Sequence, residues 1–330
     1  MFNRYWRTYP WGLQVALLFL MVFTLASFAT YVVLALVPKL SGVPFSELAD
    51  LSSKSSFRAI RSSLTGQAIS QLGIFIAPAL LFASLTHPRV REYLGIRAAG
   101  KSIHWLLVAG IMISLIPVFL WSEAWMMKHL HFGAWADEMQ ATNDGLMKAY
   151  LRLNSGADLG MLLLILALLP AIGEELLFRG VLLRLLHQRV SRILVSATVA
   201  DVIVPHDTQR SMVFPVMVTA FLFAMMHFNP YGFPLIFIAG CVLALIYFLT
   251  GSLLCSMFAH MLYNGLQVTA MFISHHNDTA KKIVDAESLP IIYPLVGLAI
   301  FAVSFYGLVR TQTPLPSGWS QDFRKGEEVA

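Results

Sequence analysis

The fold is decided by residues 211–277, SMVFPVMVTAFLFAMMHFNPYGFPLIFIAGCVLALIYFLTGSLLCSMFAHMLYNGLQVTAMFISHHN. None of these 67 residues is Asp, Glu, Lys or Arg, and the stretch is bounded by Arg210 and Asp278. A helix needs about 20 apolar residues to cross the hydrocarbon core of a bilayer. Turn-forming sequences, NPYG at 229–232 and TG at 250–251, divide the stretch. It therefore predicts three membrane-spanning helices joined by tight turns.

The composition of the whole chain is that of a membrane protein. Of its 330 residues, 57% are hydrophobic and 12% are charged, with a net charge of +5. Soluble domains carry about 25% charged residues on average. So few polar residues exclude a soluble globular enzyme and a nucleic-acid-binding module. The two cysteines, Cys241 and Cys255, lie in apolar runs, which excludes a disulfide framework.

Further charge-free gaps extend the pattern to the rest of the chain. Such continuous apolar runs exclude the alternating pattern of a membrane β-barrel. The sequence therefore predicts an all-α polytopic membrane protein with about eight transmembrane helices. They are placed near residues 12–37, 67–87, 103–122, 158–186, 212–228, 233–250, 252–273 and 288–309.

Two other stretches mix apolar and polar residues. Residues 45–64 repeat apolar side chains near helical spacing, and residues 124–156 combine tryptophans with acidic residues. They predict one or two interfacial amphipathic helices. An ordinary connecting loop is the alternative for 45–64.

The distribution of Lys and Arg predicts the orientation. Eight spans put both termini on one side of the membrane. With the N-terminus inside, the inner segments hold 13 of these residues and the outer segments hold 9, with Arg179 left out as intramembrane. The excess predicts an N-terminus on the inner side. We divide the chain into N-terminal helices and interfacial segments (1–157), a helical core (158–273), and a last helix with a polar tail (274–330).

The fourth span carries ionisable residues into the membrane. Only 15 uncharged residues separate Asp158 from Glu174, too few for a crossing, so the helix must continue through Glu174, Glu175 and Arg179. An acid at the centre of a membrane helix costs about 2.5–3.5 kcal/mol. Glu175 and Arg179 are four residues apart and can pair on one helix face. Glu174 points about 100° away and is left without that partner.

Later spans supply two histidines and an amide. His227 follows an apolar run, whereas His260 and Asn264 are four residues apart on one helix face. A lone membrane histidine more often forms a hydrogen bond between helices. An unpaired carboxylate and a histidine can, however, hold and deprotonate a water molecule. A second histidine and an amide can donate hydrogen bonds to a developing oxyanion.

Three motifs give the sequence a family resemblance. Glu174-Glu175-x-x-x-Arg179, Phe223-x-x-x-His227 and His260-x-x-x-Asn264 resemble the ordered motifs of the CPBP intramembrane proteases, the Abi family. That family includes type II CAAX prenyl endopeptidases and bacteriocin-immunity proteins. The resemblance covers residues 158–273. It implies a hydrolase of the bacterial plasma (inner) membrane, acting on a membrane-associated peptide or protein, with the lipid bilayer and not nucleic acid as its other partner.

The resemblance also implies roles for the motif residues. Glu174 and His227 would activate the attacking water, while His260 and Asn264 would stabilise the oxyanion. Glu175 and Arg179 would hold the helix ends structurally. This mechanism requires no cofactor. Zinc bound by Glu174, His227 and His260 is the alternative, because these are catalytic zinc ligand types, although the HExxH signature is missing.

Two functions of other classes could use the same polar residues. A proton-coupled transporter would use the glutamate and histidines as a relay, but it predicts inverted repeats, and the sequence shows none. A non-catalytic scaffold or immunity protein would use them only to join helices, and such hydrogen bonds in membranes average about 0.6 kcal/mol.

A single site also requires the side chains of Glu174 and His227 to converge. Counting residues places them at different depths, so span five must be short or tilted, span four must begin deeper, or the predicted orientation must be wrong.

Overall fold

The computed structural model describes residues 5–49, 51–52, 54–197, 209–277 and 289–315. Residues 198–208 and the part of the predicted polar tail after residue 315 lie outside these ranges. The described chain is helical and contains no β-strand within these ranges, which confirms the all-α prediction. Its helices are α1 (Trp11–Ser41), α2 (Phe45–Ala49), α3 (Phe57–Thr86), α4 (Val90–Leu94), α5 (Ile103–His129), α6 (Ala134–Tyr150), α7 (Gly156–Val190), α8 (Gln209–Met225), α9 (Phe233–Thr250), α10 (Leu253–His276) and α11 (Ile292–Thr311).

Six helices in the described part of the chain are long and apolar enough to cross a membrane: α1, α3, α5, α7, α9 and α11. They correspond to six of the eight predicted spans. The fifth predicted span is the 17-residue helix α8, which is shorter than the others. The seventh is the 24-residue helix α10, which carries His260, Asn264 and Gln267 and is more polar than the other long helices. The chain is a polytopic integral membrane protein.

Only one of the two mixed stretches forms a separate amphipathic helix. Residues 134–150, within the predicted segment 124–156, form α6. In the stretch 45–64, the Ser56 hydroxyl accepts a hydrogen bond from the Ala59 amide and starts α3 at Phe57. The helix then continues without a break to Thr86, so the second half of this stretch begins a membrane-crossing helix.

Helix α7 lies at the centre of the fold and is more buried than the other candidate spans, with 61% of its apolar window inside the protein. It contacts α3, α8 and α10. Two wide π-helical turns, Leu164–Leu168 and Leu176–Leu182, flank its segment Leu169–Glu175. Pro170 lacks the N–H needed for a regular helical bond, which accounts for a widened turn before it. Such turns concentrate at functional sites, and here they bracket the two acids.

Glycines let two pairs of helices approach closely, α7 with α3 and α9 with α8. A Cβ atom on Gly173 of α7 would lie 3.0 Å from the Cβ atom of Phe75 in α3. A Cβ atom on Gly240 of α9 would lie 3.0 Å from the Cβ atom of Ala220 in α8. A larger residue at either position would crowd the facing helix, so both close contacts depend on glycine, which has no side chain.

Candidate active site

The three motifs meet where α7, the α8–α9 turn and α10 come together. Glu174 is 6% exposed, and its Oε2 atom lies 4.0 Å from Nε2 of His227 and 3.9 Å from Nε2 of His260. Helix α8 ends at Met225, and His227 lies in the turn that follows. A short fifth span therefore brings His227 to Glu174, one of the alternatives that the sequence left open.

Glu174 has a further neighbour that the sequence analysis missed. The side-chain amide Nε2 of Gln71, in α3, donates a hydrogen bond of 3.2 Å to Oε1 of Glu174. This contact depends on the close approach of α3 to α7 at Gly173. The other carboxylate oxygen, Oε2, is buried and accepts no hydrogen bond from any residue in the described ranges. It is this oxygen that faces the two histidines.

Glu175 occupies a different environment from Glu174. It is fully buried, and its Oε1 atom lies 2.6 Å from Nη1 of Arg179 and 3.1 Å from Nδ1 of His260. The hydroxyl of Ser256 donates a hydrogen bond of 2.6 Å to its Oε2 atom. The carboxylate therefore links α7 to α10.

Arg179 is a buried cation with partners on three elements. Besides Glu175, it donates a hydrogen bond of 2.9 Å from Nη2 to the carbonyl oxygen of Gly240. Its guanidinium carbon lies 4.6 Å from the ring centroid of Phe223. Phe223, which begins the Phe223-x-x-x-His227 motif, therefore packs against Arg179, which ends the Glu174-Glu175-x-x-x-Arg179 motif. The Phe223 ring also lies 4.7 Å from the ring of His227, centroid to centroid.

Hydrogen bonds orient both imidazole rings. Nδ1 of His227 lies 2.7 Å from the carbonyl oxygen of Phe223, and Nδ1 of His260 lies 3.1 Å from Oε1 of Glu175. A carbonyl or carboxylate oxygen only accepts, so in each ring Nδ1 carries the hydrogen. The neutral form of each ring therefore turns the lone pair of Nε2 toward Glu174.

A cavity of about 200 Å³ adjoins these groups. Its lining includes His227, His260 and Asn264. The Nδ2 atom of Asn264 lies 3.5 Å from the carbonyl oxygen of Leu166, at the outer limit of a hydrogen bond. Glu123 of α5 also lines the cavity. The sequence analysis did not identify Glu123 as a candidate site residue.

The predicted zinc ligands are not arranged for a tetrahedral metal. Zinc bonds of about 2.0–2.2 Å place the donor atoms of two ligands about 3.4 Å apart. The separations from Glu174 Oε2 to His227 Nε2 and to His260 Nε2 are 4.0 Å and 3.9 Å. In the described part of the chain, no group of three or more His, Cys, Asp or Glu side chains could hold a metal ion. The three residues as placed do not fit zinc.

A protein-family comparison matches part of this chain. Residues 156–266, about a third of the chain, match the family model described as type II CAAX prenyl endopeptidase Rce1-like. Comparisons with curated proteins and with solved structures found no match. The matched segment contains every residue of the three motifs and confirms the resemblance noted from them. Residues 156–266 of this chain are therefore similar to the type II CAAX prenyl endopeptidase Rce1-like family.

Proposed function

We propose that the chain is an intramembrane endopeptidase that hydrolyses a peptide bond in a membrane-associated peptide or protein. The observation that carries the proposal is the position of Glu174 Oε2, 4.0 Å and 3.9 Å from two histidine Nε2 atoms. These separations are too long for direct hydrogen bonds, but a water molecule at about 2.8 Å from Glu174 Oε2 and from His227 Nε2 can donate to both atoms and bridge them. A buried carboxylate beside a bridging water is the arrangement that general-base hydrolysis requires.

In the proposed reaction, the attacking water donates hydrogen bonds to Oε2 of Glu174 and to Nε2 of His227, and one of its protons passes to Glu174. The water oxygen bonds to the carbonyl carbon of the scissile peptide, and the π electrons move to the carbonyl oxygen. Nε2–H of a protonated His260 and Nδ2–H of Asn264 donate hydrogen bonds to this oxyanion. When the tetrahedral intermediate collapses, the C=O bond re-forms, the C–N bond breaks, and the proton held by Glu174 passes to the leaving amine.

Glu175 and Arg179 act through His260 in this mechanism. The 3.1 Å contact from Glu175 Oε1 to His260 Nδ1 fixes the imidazole ring and stabilises its protonated form. Arg179 holds the Glu175 carboxylate at 2.6 Å. Glu175 and Arg179 are therefore positioning residues, whereas Glu174, His227, His260 and Asn264 touch the reacting atoms.

The transporter and scaffold hypotheses explain less of this geometry. Neither gives a role to two Nε2 atoms aimed at the same carboxylate oxygen from different elements. A scaffold would gain more from direct hydrogen bonds between these groups than from separations near 4 Å.

We infer that the N-terminus faces the inside of a bacterial plasma membrane. The support is the excess of Lys and Arg on the inner segments, 13 against 9, and the family to which residues 156–266 are similar. Labelling of a cysteine introduced at the N-terminus, in intact and in permeabilised cells, tests the orientation.

The family match also supports treating the core segment, residues 158–273, as a unit distinct from the helices before it.

Terminal-peptide mapping of membrane proteomes tests the function and identifies the substrate. Cells that express the wild-type protein are compared with cells that express the Glu174→Ala variant. We expect new protein termini only with the wild-type protein. Identical terminal peptides in both cell types, at matched expression, would contradict the protease proposal.

Chelators are expected to leave the activity of the purified protein within about twofold of its initial value. The reason is that the proposed mechanism uses only protein groups, and the Glu174, His227 and His260 side chains do not form a tetrahedral zinc set. Cleavage is measured with and without a strong zinc chelator after extended incubation. Loss of cleavage that added zinc restores would replace the proposed mechanism with a zinc-dependent one and leave the protease proposal intact.

The Gln71→Leu variant is expected to lower kcat/KM by about tenfold, because a hydrogen bond to a charged group is worth about 1.5–3 kcal/mol. Leucine keeps the packing against Gly173 but removes the donor to Glu174. Gln67→Leu is the matched control, since Gln67 is exposed one turn earlier on the same helix. Equal kinetics for the two variants would show that Gln71 does not support Glu174.

A further inference from the structure

The cavity beside the catalytic groups contains a carboxylate that the proposed mechanism does not use. Glu123 of α5 is half-buried and lines the cavity together with His260 and Asn264. Asn229, in the α8–α9 turn, also lines the cavity. None of the residues lining this cavity is a lysine or arginine, and no basic side chain within the described ranges forms a salt bridge with Glu123.

Helices α5 and α10 contact each other through two aromatic pairs. The rings of Trp105 and Phe258 lie 5.3 Å apart, centroid to centroid. The rings of Phe119 and Tyr263 lie 6.0 Å apart. Glu123 follows Phe119 by one helical turn on α5, and one further turn of α10 follows Tyr263.

That next turn of α10 contains Gln267, which also lines the cavity. His260 and Gln267 are seven residues apart, or about 10 Å along the axis at 1.5 Å per residue. The cavity therefore extends about 10 Å along α10, and Glu123 lines it together with both of these residues. An extended peptide covers this distance with about three residues, at about 3.3 Å each.

We propose that Glu123 is a specificity-determining residue that binds the side chain of a lysine or arginine located within about three residues of the scissile bond. The proposal rests on the proposed protease function and names a feature of its substrates. A cation next to this partly buried carboxylate forms a charge-assisted hydrogen bond in a weakly polar environment, where such bonds are strong. Asn229 and Gln267 also line the cavity, and their side-chain amides offer further hydrogen-bonding groups.

The same carboxylate discriminates against other substrates. A glutamate or a free C-terminal carboxylate at this position would place two like charges together in the cavity. A leucine or norleucine would cover Glu123 without pairing with it, which leaves a desolvated charge uncompensated. Selection by Glu123 therefore combines an attractive contact with the basic side chain and a penalty for the alternatives.

Cleavage of a degenerate peptide library tests the specificity. The library consists of N-acetylated apolar peptides in lipid nanodiscs, so that only a side chain can provide a cation, and the products are sequenced by mass spectrometry. We expect wild-type protein to enrich Lys and Arg about tenfold over norleucine at one position within three residues of the cut. Glu123→Gln should reduce this ratio to about one, and Glu123→Lys should shift the preference to Asp and Glu.

The control variant is Glu138→Gln, which makes the same charge change at an exposed position of α6. We expect it to keep the wild-type ratio of Lys to norleucine. No basic preference in the wild-type protein, or a preference that survives in Glu123→Gln, would overturn the assignment of Glu123 while leaving the protease proposal in place.

A binding measurement separates this inference from the catalytic proposal. Glu174→Ala and Glu123→Gln/Glu174→Ala proteins are titrated with the Lys and norleucine forms of the same library. We expect about tenfold tighter binding of the Lys form to the first protein only. If wild-type protein cleaves nothing but this binding difference is found, the protease proposal fails and the Glu123 site stands; absence of the binding difference overturns the site.

Discussion

Replacing Glu174 with alanine is expected to lower peptide-bond cleavage by about 10³-fold or more, because a positioned general base contributes about 10²–10⁴ to the rate. The protein should remain folded and inserted. Glu174 has no arginine partner, and its Oε2 atom accepts no hydrogen bond from the described residues, so the substitution leaves no buried cation unpaired. The one bond lost is the donation from Gln71, worth about 1–3 kcal/mol at most.

Two further variants make this experiment specific. Glu174→Gln keeps the volume and polarity of the side chain but removes its charge and cannot accept a proton, so its cleavage rate should fall as far as that of Glu174→Ala. Glu92→Ala removes an exposed carboxylate in α4 and should retain wild-type activity. Activity is measured on purified proteins at equal concentration, with thermal unfolding as the check on folding. Cleavage by Glu174→Gln at more than about one-tenth of the wild-type rate would exclude Glu174 as the base.

The relations within each helix could be predicted from the sequence. Residues four apart share a helix face, so the sequence indicated that Glu175 would pair with Arg179 and that Glu174 would point elsewhere. The structure has the Glu175–Arg179 pair at 2.6 Å, and Glu174 faces the histidines. The number of apolar runs likewise predicted the helical fold, because the requirement for about 20 apolar residues is independent of how helices pack.

Relations between helices could not be predicted in the same way. Gln71 reaches Glu174 only because Gly173 allows α3 and α7 to approach, and neither residue signals this contact in the sequence. Glu123 enters the cavity because α5 packs beside α10 with a particular rotation. Hydropathy gives the length of a helix, whereas its rotation and axial position depend on packing against its neighbours.

The depth of His227 illustrates the same distinction. Counting residues from the end of a full-length fifth span placed it away from Glu174. The described helix α8 has 17 residues and ends at Met225, and the turn after it includes Phe228 with a φ of 47°. A non-glycine residue with positive φ is uncommon, and it marks a tight change of direction here. The turn carries His227 back toward α7, which residue counting along a straight helix could not show.

Replacing Glu175 or Arg179 with alanine is expected to destabilise the protein, unlike the change at Glu174. Both side chains are buried, at 0% and 1% exposure, and breaking a buried ion pair costs about 3–5 kcal/mol in soluble proteins. Glu175→Ala leaves the Arg179 cation in contact with the Gly240 carbonyl and the Phe223 ring, and it removes the acceptor of His260 Nδ1. Cleavage should therefore fall as well, since the His260 ring loses the contact that orients it.

The double variant distinguishes an ion pair from two independent contributions. Glu175→Ala/Arg179→Ala removes both charges together, so neither is left buried without its partner. Its loss of stability should be smaller than the sum of the two single losses by about 1–3 kcal/mol, the range found for coupled neighbours. The free energy of unfolding is measured in one detergent for all variants, because the environment must be constant within the cycle.

A matched cycle at an exposed ion pair provides the comparison. Arg89 and Glu92 lie 3.3 Å apart, three residues apart in sequence, with side chains that are 52% and 64% exposed. Exposed pairs contribute about 0–1 kcal/mol, so this cycle should be nearly additive. Additivity at Glu175 and Arg179 as well would mean that the two residues contribute separately. Strong coupling together with a cleavage defect in the double variant would show that the pair both stabilises the junction of α7 with α10 and positions His260 for catalysis.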